Sequence, residues 1–193
     1  MKKQSLTALG LILGLSACGG GGFGGLAGYA EAFGEFNGDP TLVSPVADAT
    51  LNTFNSAVNY DGVVNIGTDS DTNPAGAASY YGSLDVTVNF SNATTNDAIN
   101  GTAGDFVQFF SEIASPKTGE SVPGSITITG ALTGSNQTGL GDGLVGTATG
   151  SIDGIDVAYD LDGNITGVGG NGLVLYFDGS NADSTGGVGF AVD

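Results

Sequence analysis

Histidine, arginine and tryptophan are absent from this 193-residue sequence, and its only basic side chains are Lys2, Lys3 and Lys117. Each absence removes a class of function. Without histidine there is no imidazole base, proton shuttle or haem-ligating ring. Without arginine there is no guanidinium fork to hold a carboxylate or phosphate. One lysine beyond residue 3 cannot neutralise a phosphate backbone, so nucleic acid is excluded as a partner. The single cysteine, Cys18, leaves no intramolecular disulfide, and as a nucleophile it would lack a base or cationic neighbour. The carboxylates sit in turn contexts rather than in the paired apolar settings that raise a carboxyl pKa for acid catalysis. A carboxylate pair assembled only in the fold is the remaining enzymatic option, and the sequence reads as that of a protein that is not an enzyme and carries no cofactor.

What is present begins with an address. Lys2 and Lys3 precede an apolar segment, Leu6 to Leu15 (LTALGLILGL), which ends in small residues; this is the layout of an export signal. It is too short to span a bilayer as a permanent helix. Leu15, Ser16, Ala17 and Cys18 resemble the lipobox of bacterial lipoproteins, in which the cysteine becomes the first residue after cleavage and carries lipid on its sulfur. Residues 1–17 are then a cleaved signal peptide. Residues 18–54 are a lipidated cysteine, a glycine-rich tether (GGGGFGG, Gly19 to Gly25) and a lead-in with a short helical turn around Leu26 to Phe33, broken by Pro40 and Pro45. Stable attachment takes more than one acyl chain, which lipoproteins of this kind carry. Gly19 is not the aspartate that retains some lipoproteins in the inner membrane, so the expected site is the bacterial outer membrane, lipid-anchored, at the cell surface.

All 20 acidic residues follow Cys18 against the single Lys117, a net charge of −19. Such a chain repels phosphates and anionic headgroups and stays soluble, the balance expected of a solvated surface in salty water. With 36 glycines and abundant Thr, Asn, Ser and Val, long helices are disfavoured and short strands between tight turns favoured.

Residues 55–193 carry the strand signals. A strand is expected at Ala57 to Ile66. The clearest alternation is SYYGSLDVTVNF, with Leu84, Val86, Val88 and Phe90 on one face and Ser83, Asp85, Thr87 and Asn89 on the other. Further strands are expected at Ala98 to Phe106, Ser125 to Leu132, Gly143 to Ile152 and Ile155 to Leu161. Asp153-Gly154 suits a two-residue hairpin turn with positive φ, and Asp162-Gly163-Asn164 is expected to mark the next reversal. The pattern gives about eight or nine strands joined by hairpins, an all-β antiparallel up-and-down barrel of about eight strands filled by its own side chains.

The segments SYYGSLDVTVNF, INGTAGDF, GSITITGALTG, GLVGTATGSIDG, DGNITGVGG and the terminal GGVGFAV, with Tyr60-Asp61-Gly62 and Tyr81-Gly82 near the barrel start, resemble the β-barrel domain shared by transferrin-binding protein B and factor H binding protein. The resemblance covers about Ala57 to Asp193, and the lipobox and glycine tether agree with it. It implies a non-catalytic surface lipoprotein that binds a protein or an iron or haem source. The chain is short, one barrel where transferrin-binding protein B has two lobes, so transferrin recognition itself is not implied.

Two places carry binding chemistry. Asp69, Asp71 and Asn73 are alternate oxygen-bearing side chains in one loop, a spacing that could hold calcium, although Pro74 and Tyr80 stand where an EF-hand has its glycine and bidentate glutamate. Tyr80 and Tyr81 face opposite sides of a strand, and an exposed aromatic on a barrel rim is a partner anchor. Two other function classes fit the composition: an acidic, cation-binding envelope or matrix lipoprotein, and a small integral outer-membrane barrel. The lack of tryptophan and of aromatic girdles weakens the second.

Overall fold

In the computed structural model, which describes residues 26–44, 46, 53–68, 78–92, 97–109, 119–133, 143–167 and 169–193, the strongest sequence alternation becomes wall. Leu84, Val86 and Val88 are buried while Asp85 is exposed. The strands are β1 (Ala57–Thr68), β2 (Ala78–Asn89), β3 (Ile99–Phe109), β4 (Glu120–Ser121), β5 (Gly124–Thr133), β6 (Gly143–Ile152), β7 (Ile155–Thr166), β8 (Gly172–Gly179) and β9 (Ser184–Val192). Every pairing is antiparallel. The order β2-β1-β9-β8-β7-β6-β5-β3 returns to β2 through β3, so eight strands close a barrel and β4 is an addition on β3. The expected all-β up-and-down barrel is the fold of this chain.

Inward side chains fill the lumen. Tyr60, Ile66, Tyr80, Phe106, Ile126, Ile128, Tyr159 and Phe177 are all at most 1% exposed and belong to one cluster with residues of every long strand. Eight strands is the size at which side chains alone fill a barrel. At one end, here the plug end, the tilted rings of Phe54 and Phe90 pack with centroids 4.8 Å apart and the Tyr60 hydroxyl donates to the Gly170 carbonyl at 2.8 Å. The opposite end, the hairpin end, carries the β6–β7 turn and the β8–β9 turn around Asn181.

The Asp153-Gly154 turn forms as its chemistry demands: both residues have positive φ, 52° and 80°, and Ile152 pairs with Ile155. Asp162-Gly163-Asn164 does not reverse the chain. Those residues continue β7 and pair with Leu175 and its neighbours on β8; a Cβ on Gly163 would strike the Val174 carbonyl, so this glycine serves close strand approach rather than a turn. The reversal lies between the paired residues Thr166 and Gly172, where Gly167 and Gly170 hold positive φ.

The lead-in is longer and more ordered than a helical turn. Helix α1 spans Leu26–Gly38 and α2 spans Pro40–Val43, with Asp39 capping α2 by accepting from the Thr41 amide at 2.8 Å. Tyr29, Ala32, Phe33 and Phe36 follow helical spacing and form one apolar stripe. That stripe packs on the outside of the barrel, over Val63, Val107, Val174 and Phe190. The last strand therefore turns its large residues outward: Phe190 lies beneath the helix while Gly189 faces Leu84 and Phe177 inside. Phe33 contacts Phe190 and Tyr81 edge to face, at 5.1 and 5.8 Å.

Candidate functional site

An open groove of mixed polar and apolar lining lies on the outer wall where β2, β3 and β5 run side by side. Antiparallel register aligns Asp85 with Thr102 and Thr127, and Thr87 with Asn100 and Thr129. Alternation turns these residues to solvent because their neighbours Val86 and Ile128 point into the core. Gly101, between Asn100 and Thr102, has no side chain, and a Cβ there would strike the Asp85 carbonyl and Val86. The result is a shallow, open groove of about 350 Å³ lined by Asp85, Thr87, Asn100, Gly101, Thr102, Thr127 and Ile128.

The polar part of the lining consists of acceptors and hydroxyls. Thr87 donates to the Asn59 side-chain oxygen at 2.7 Å, and Asn100 donates to the Asp97 carbonyl at 2.9 Å, so two lining side chains are oriented. Asp85 stands directly opposite Asp61 on β1, and its carboxyl titrates above the usual carboxylate range, first through partial burial and then through the Asp61 charge. Thr149 and Thr147 of β6 extend the two rows beyond the groove. No side chain lining the groove is a cation or a thiol. Such a surface attracts ligands that bring hydrogen-bond donors or positive charge.

The tyrosines proposed from sequence occupy different places. Tyr80 is fully inside the barrel beside Thr68, and among the described residues neither hydroxyl finds a hydrogen-bond partner of good geometry. Burial raises its pKa, Thr68 lowers it and Asp153 raises it further. Tyr81 faces outward as alternation requires, but Phe33 of α1 lies against its ring. Among the described residues the large apolar side chains that remain exposed are Val145 and Tyr176, which flank Asp162 in one cross-strand row. The groove itself was not singled out from sequence. Its signal was the repeated Thr-x-Thr and Asn-x-Thr spacing on strands whose register only the fold reveals.

Tyr60 and Tyr159 are also interior. The Tyr159 hydroxyl donates to the Gly67 carbonyl at 3.0 Å, and burial pushes both phenols above their ordinary pKa. A phenol held neutral in a packed core is unsuited to ligating haem iron. Cys18, Asp69, Asp71 and Asn73 lie outside the described residues. Among the described residues no three acidic or thiol side chains gather closely enough to hold a metal ion.

Compared with known proteins, the chain matches no family model and no curated protein sequence. The eight-stranded antiparallel barrel is compatible with a barrel lipoprotein domain.

Proposed function

We propose that this chain is an outer-membrane lipoprotein, anchored through Cys18 and displayed at the cell surface, whose barrel is a non-catalytic binding module of the transferrin-binding protein B type. The observation that carries the reading is the outer-wall groove from Asp85 to Thr127, set on a barrel whose lumen is already filled. A ligand therefore meets the wall or the end loops rather than an interior cavity. Hydroxyls, a carboxamide and a carboxylate favour a protein ligand that presents amides, hydroxyls or basic side chains. An iron or haem source fits as a protein carrier better than as free haem, because the interior tyrosines are packed and neutral.

The charged outer wall opposes the integral-barrel alternative. Asp61, Asp85, Asp160, Asp162 and Asp178 are exposed within strands, where a lipid-facing strand carries an apolar band. The acidic envelope alternative keeps the same charge but requires a cation site, for which the sequence offers Asp69, Asp71 and Asn73. Immobilised mature domain is the test of the binding reading, challenged with haemin and with host extracellular glycoproteins, with and without calcium. Saturable retention of a protein that Thr102→Trp abolishes supports the groove. Retention of haemin alone, or a calcium-dependent change in stability with no protein retained, replaces the reading. For the anchor, Cys18→Ala should release the protein from the membrane fraction without unfolding it; a variant that stays membrane-bound refutes lipid attachment there.

A further inference from the structure

The direction of α1 relative to the barrel sets which barrel end meets the bilayer. Its first turns sit toward the hairpin end: the Tyr29 hydroxyl donates to the carbonyl of Asp105, in the half of β3 leading to that end. Its last turns and α2 sit at the plug end, where the Ser44 carbonyl accepts from Gly167, the Val46 amide donates to Ile165, and the Leu42 carbonyl approaches Gly172. The aromatic seam of Phe33 on Tyr81 and Phe190 fixes the helix between these points. The described chain therefore begins near the hairpin end and travels away from it.

Only seven residues separate Cys18 from Leu26, eight Cα-to-Cα steps. Eight such steps reach at most about 28 Å when fully extended, and a glycine-rich coil of that length has a root-mean-square span of about 15 Å. Strands of this length, tilted as barrel closure requires, give a wall of ~30 Å. With the hairpin end toward the membrane, the connection needs no extension along the wall. With the plug end toward the membrane, it would have to run back past most of the wall, near full stretch.

We propose that the barrel stands on the lipid headgroups by its hairpin end, with the turns at Asp153-Gly154 and Asn181–Asp183 nearest the bilayer and the plug end of Phe54, Phe90 and Gly170 presented outward. This inference rests on the reading of Cys18 as the lipid anchor. The carboxylates of Glu120, Asp153, Asp156 and Asp183 at the hairpin end make the contact a stand-off rather than an insertion. The outward surface is then the plug end together with the upper part of the groove, where Thr87 and Asn100 lie.

The experiment uses full-length lipidated protein reconstituted in vesicles containing a headgroup-labelled acceptor lipid. A single added thiol is labelled at Asp156→Cys, near the hairpin end, or at Gly169→Cys, near the plug end; both positions are exposed, and a Cβ at 169 meets nothing within 4 Å. Energy transfer several-fold stronger from position 156 than from 169 is the expected result. Inserting a twenty-residue Gly/Ser segment after Gly22 should shrink that ratio toward one. Equal transfer in the unlengthened chain, or stronger transfer from 169, overturns the orientation. Failure of the lipidated chain to co-sediment with vesicles at all overturns the anchor, and is told apart from the orientation result by that sedimentation step.

Discussion

The Tyr29 hydroxyl reaches across 76 positions of sequence to donate to the Asp105 carbonyl at 3.1 Å. Asp105 has a φ of 50° and sits where the β2–β3 register shifts, so that Asp105 and Phe106 together oppose Gly82. This is a β-bulge, and it sends Phe106 into the barrel while Val107 turns out beneath the helix. A Cβ on Gly82 would strike the Phe106 ring and the Gly104 carbonyl, so that glycine makes room for the bulge. The helix thus takes up a carbonyl at the point where the strand ladder is interrupted.

Tyr29→Phe keeps the ring and removes that bond. The expected cost is about 1 kcal/mol, the net worth of one partly buried hydrogen bond. Native-state hydrogen exchange should show faster exchange for the α1 amides and no change in the central barrel strands. Equal acceleration in both would mean that helix and barrel open as one unit.

Gly34→Ala should act in the opposite direction. Gly34 lies on the exposed side of α1, and a Cβ there meets nothing within 4 Å. Replacing glycine by alanine in a helix interior is worth ~0.5–1 kcal/mol. A rise in urea midpoint of matching size would confirm that α1 unfolds with the barrel; protection gained in the helix alone would show that it detaches separately.

Alkali should unfold the protein in a defined window. Burial raises the pKa of Tyr29, Tyr80, Tyr81 and Tyr159, the last to about 12, and that of Tyr60 further still. An unfolded tyrosine loses its proton near pH 10. From there upward the unfolded chain releases protons that the folded chain retains. Stability is therefore unaffected by these groups below about pH 10 and falls as pH climbs from 10 through 12. Phenolate absorbance near 295 nm should rise together with loss of β-sheet circular dichroism; a full phenolate signal with the sheet intact would contradict this.

Asp85→Asn should stabilise the fold at neutral pH. Asp61 and Asp85 are direct cross-strand partners, and like charges so placed destabilise a sheet by roughly 0.2–1 kcal/mol. The folded pKa of Asp85 is raised, so its charged form opposes folding at pH 7 and the opposition ends once acid protonates it. The gain from the asparagine should accordingly vanish at low pH and shrink in 1 M salt. Urea titrations at two pH values and two salt concentrations measure both trends.

Alternation and turn chemistry made most of the barrel wall legible. Leu84, Val86 and Val88 against Asp85 needed only period two, and Asp153-Gly154 needed only its tolerance of positive φ. Asp162-Gly163-Asn164 misled because glycine marks both turns and close strand contacts, and only the Val174 backbone facing Gly163 tells them apart. The extent of α1 was obscured by Gly28 and Gly34, which weaken a helix held by Tyr29, Phe33 and Phe36 on the barrel; that partner surface comes from strands more than a hundred residues later as well as from nearby ones. The groove combines side chains from three strands, and no local pattern reports their common register.

Closure by the β1–β9 pair has a consequence for synthesis. Asp61 of the first long strand is matched with Val192 of the last one described, and Gly62 with Ala191. A Cβ on Gly62 would strike the Phe190 carbonyl and Ala191, so this last seam is also among the tightest. Until β9 has left the ribosome, β1 and β8 both lack a neighbour, and each presents a row of unpaired backbone groups. The native core is thus complete only once β9 has joined β1, and that closing pair joins strands far apart in sequence, the kind of contact that slows folding.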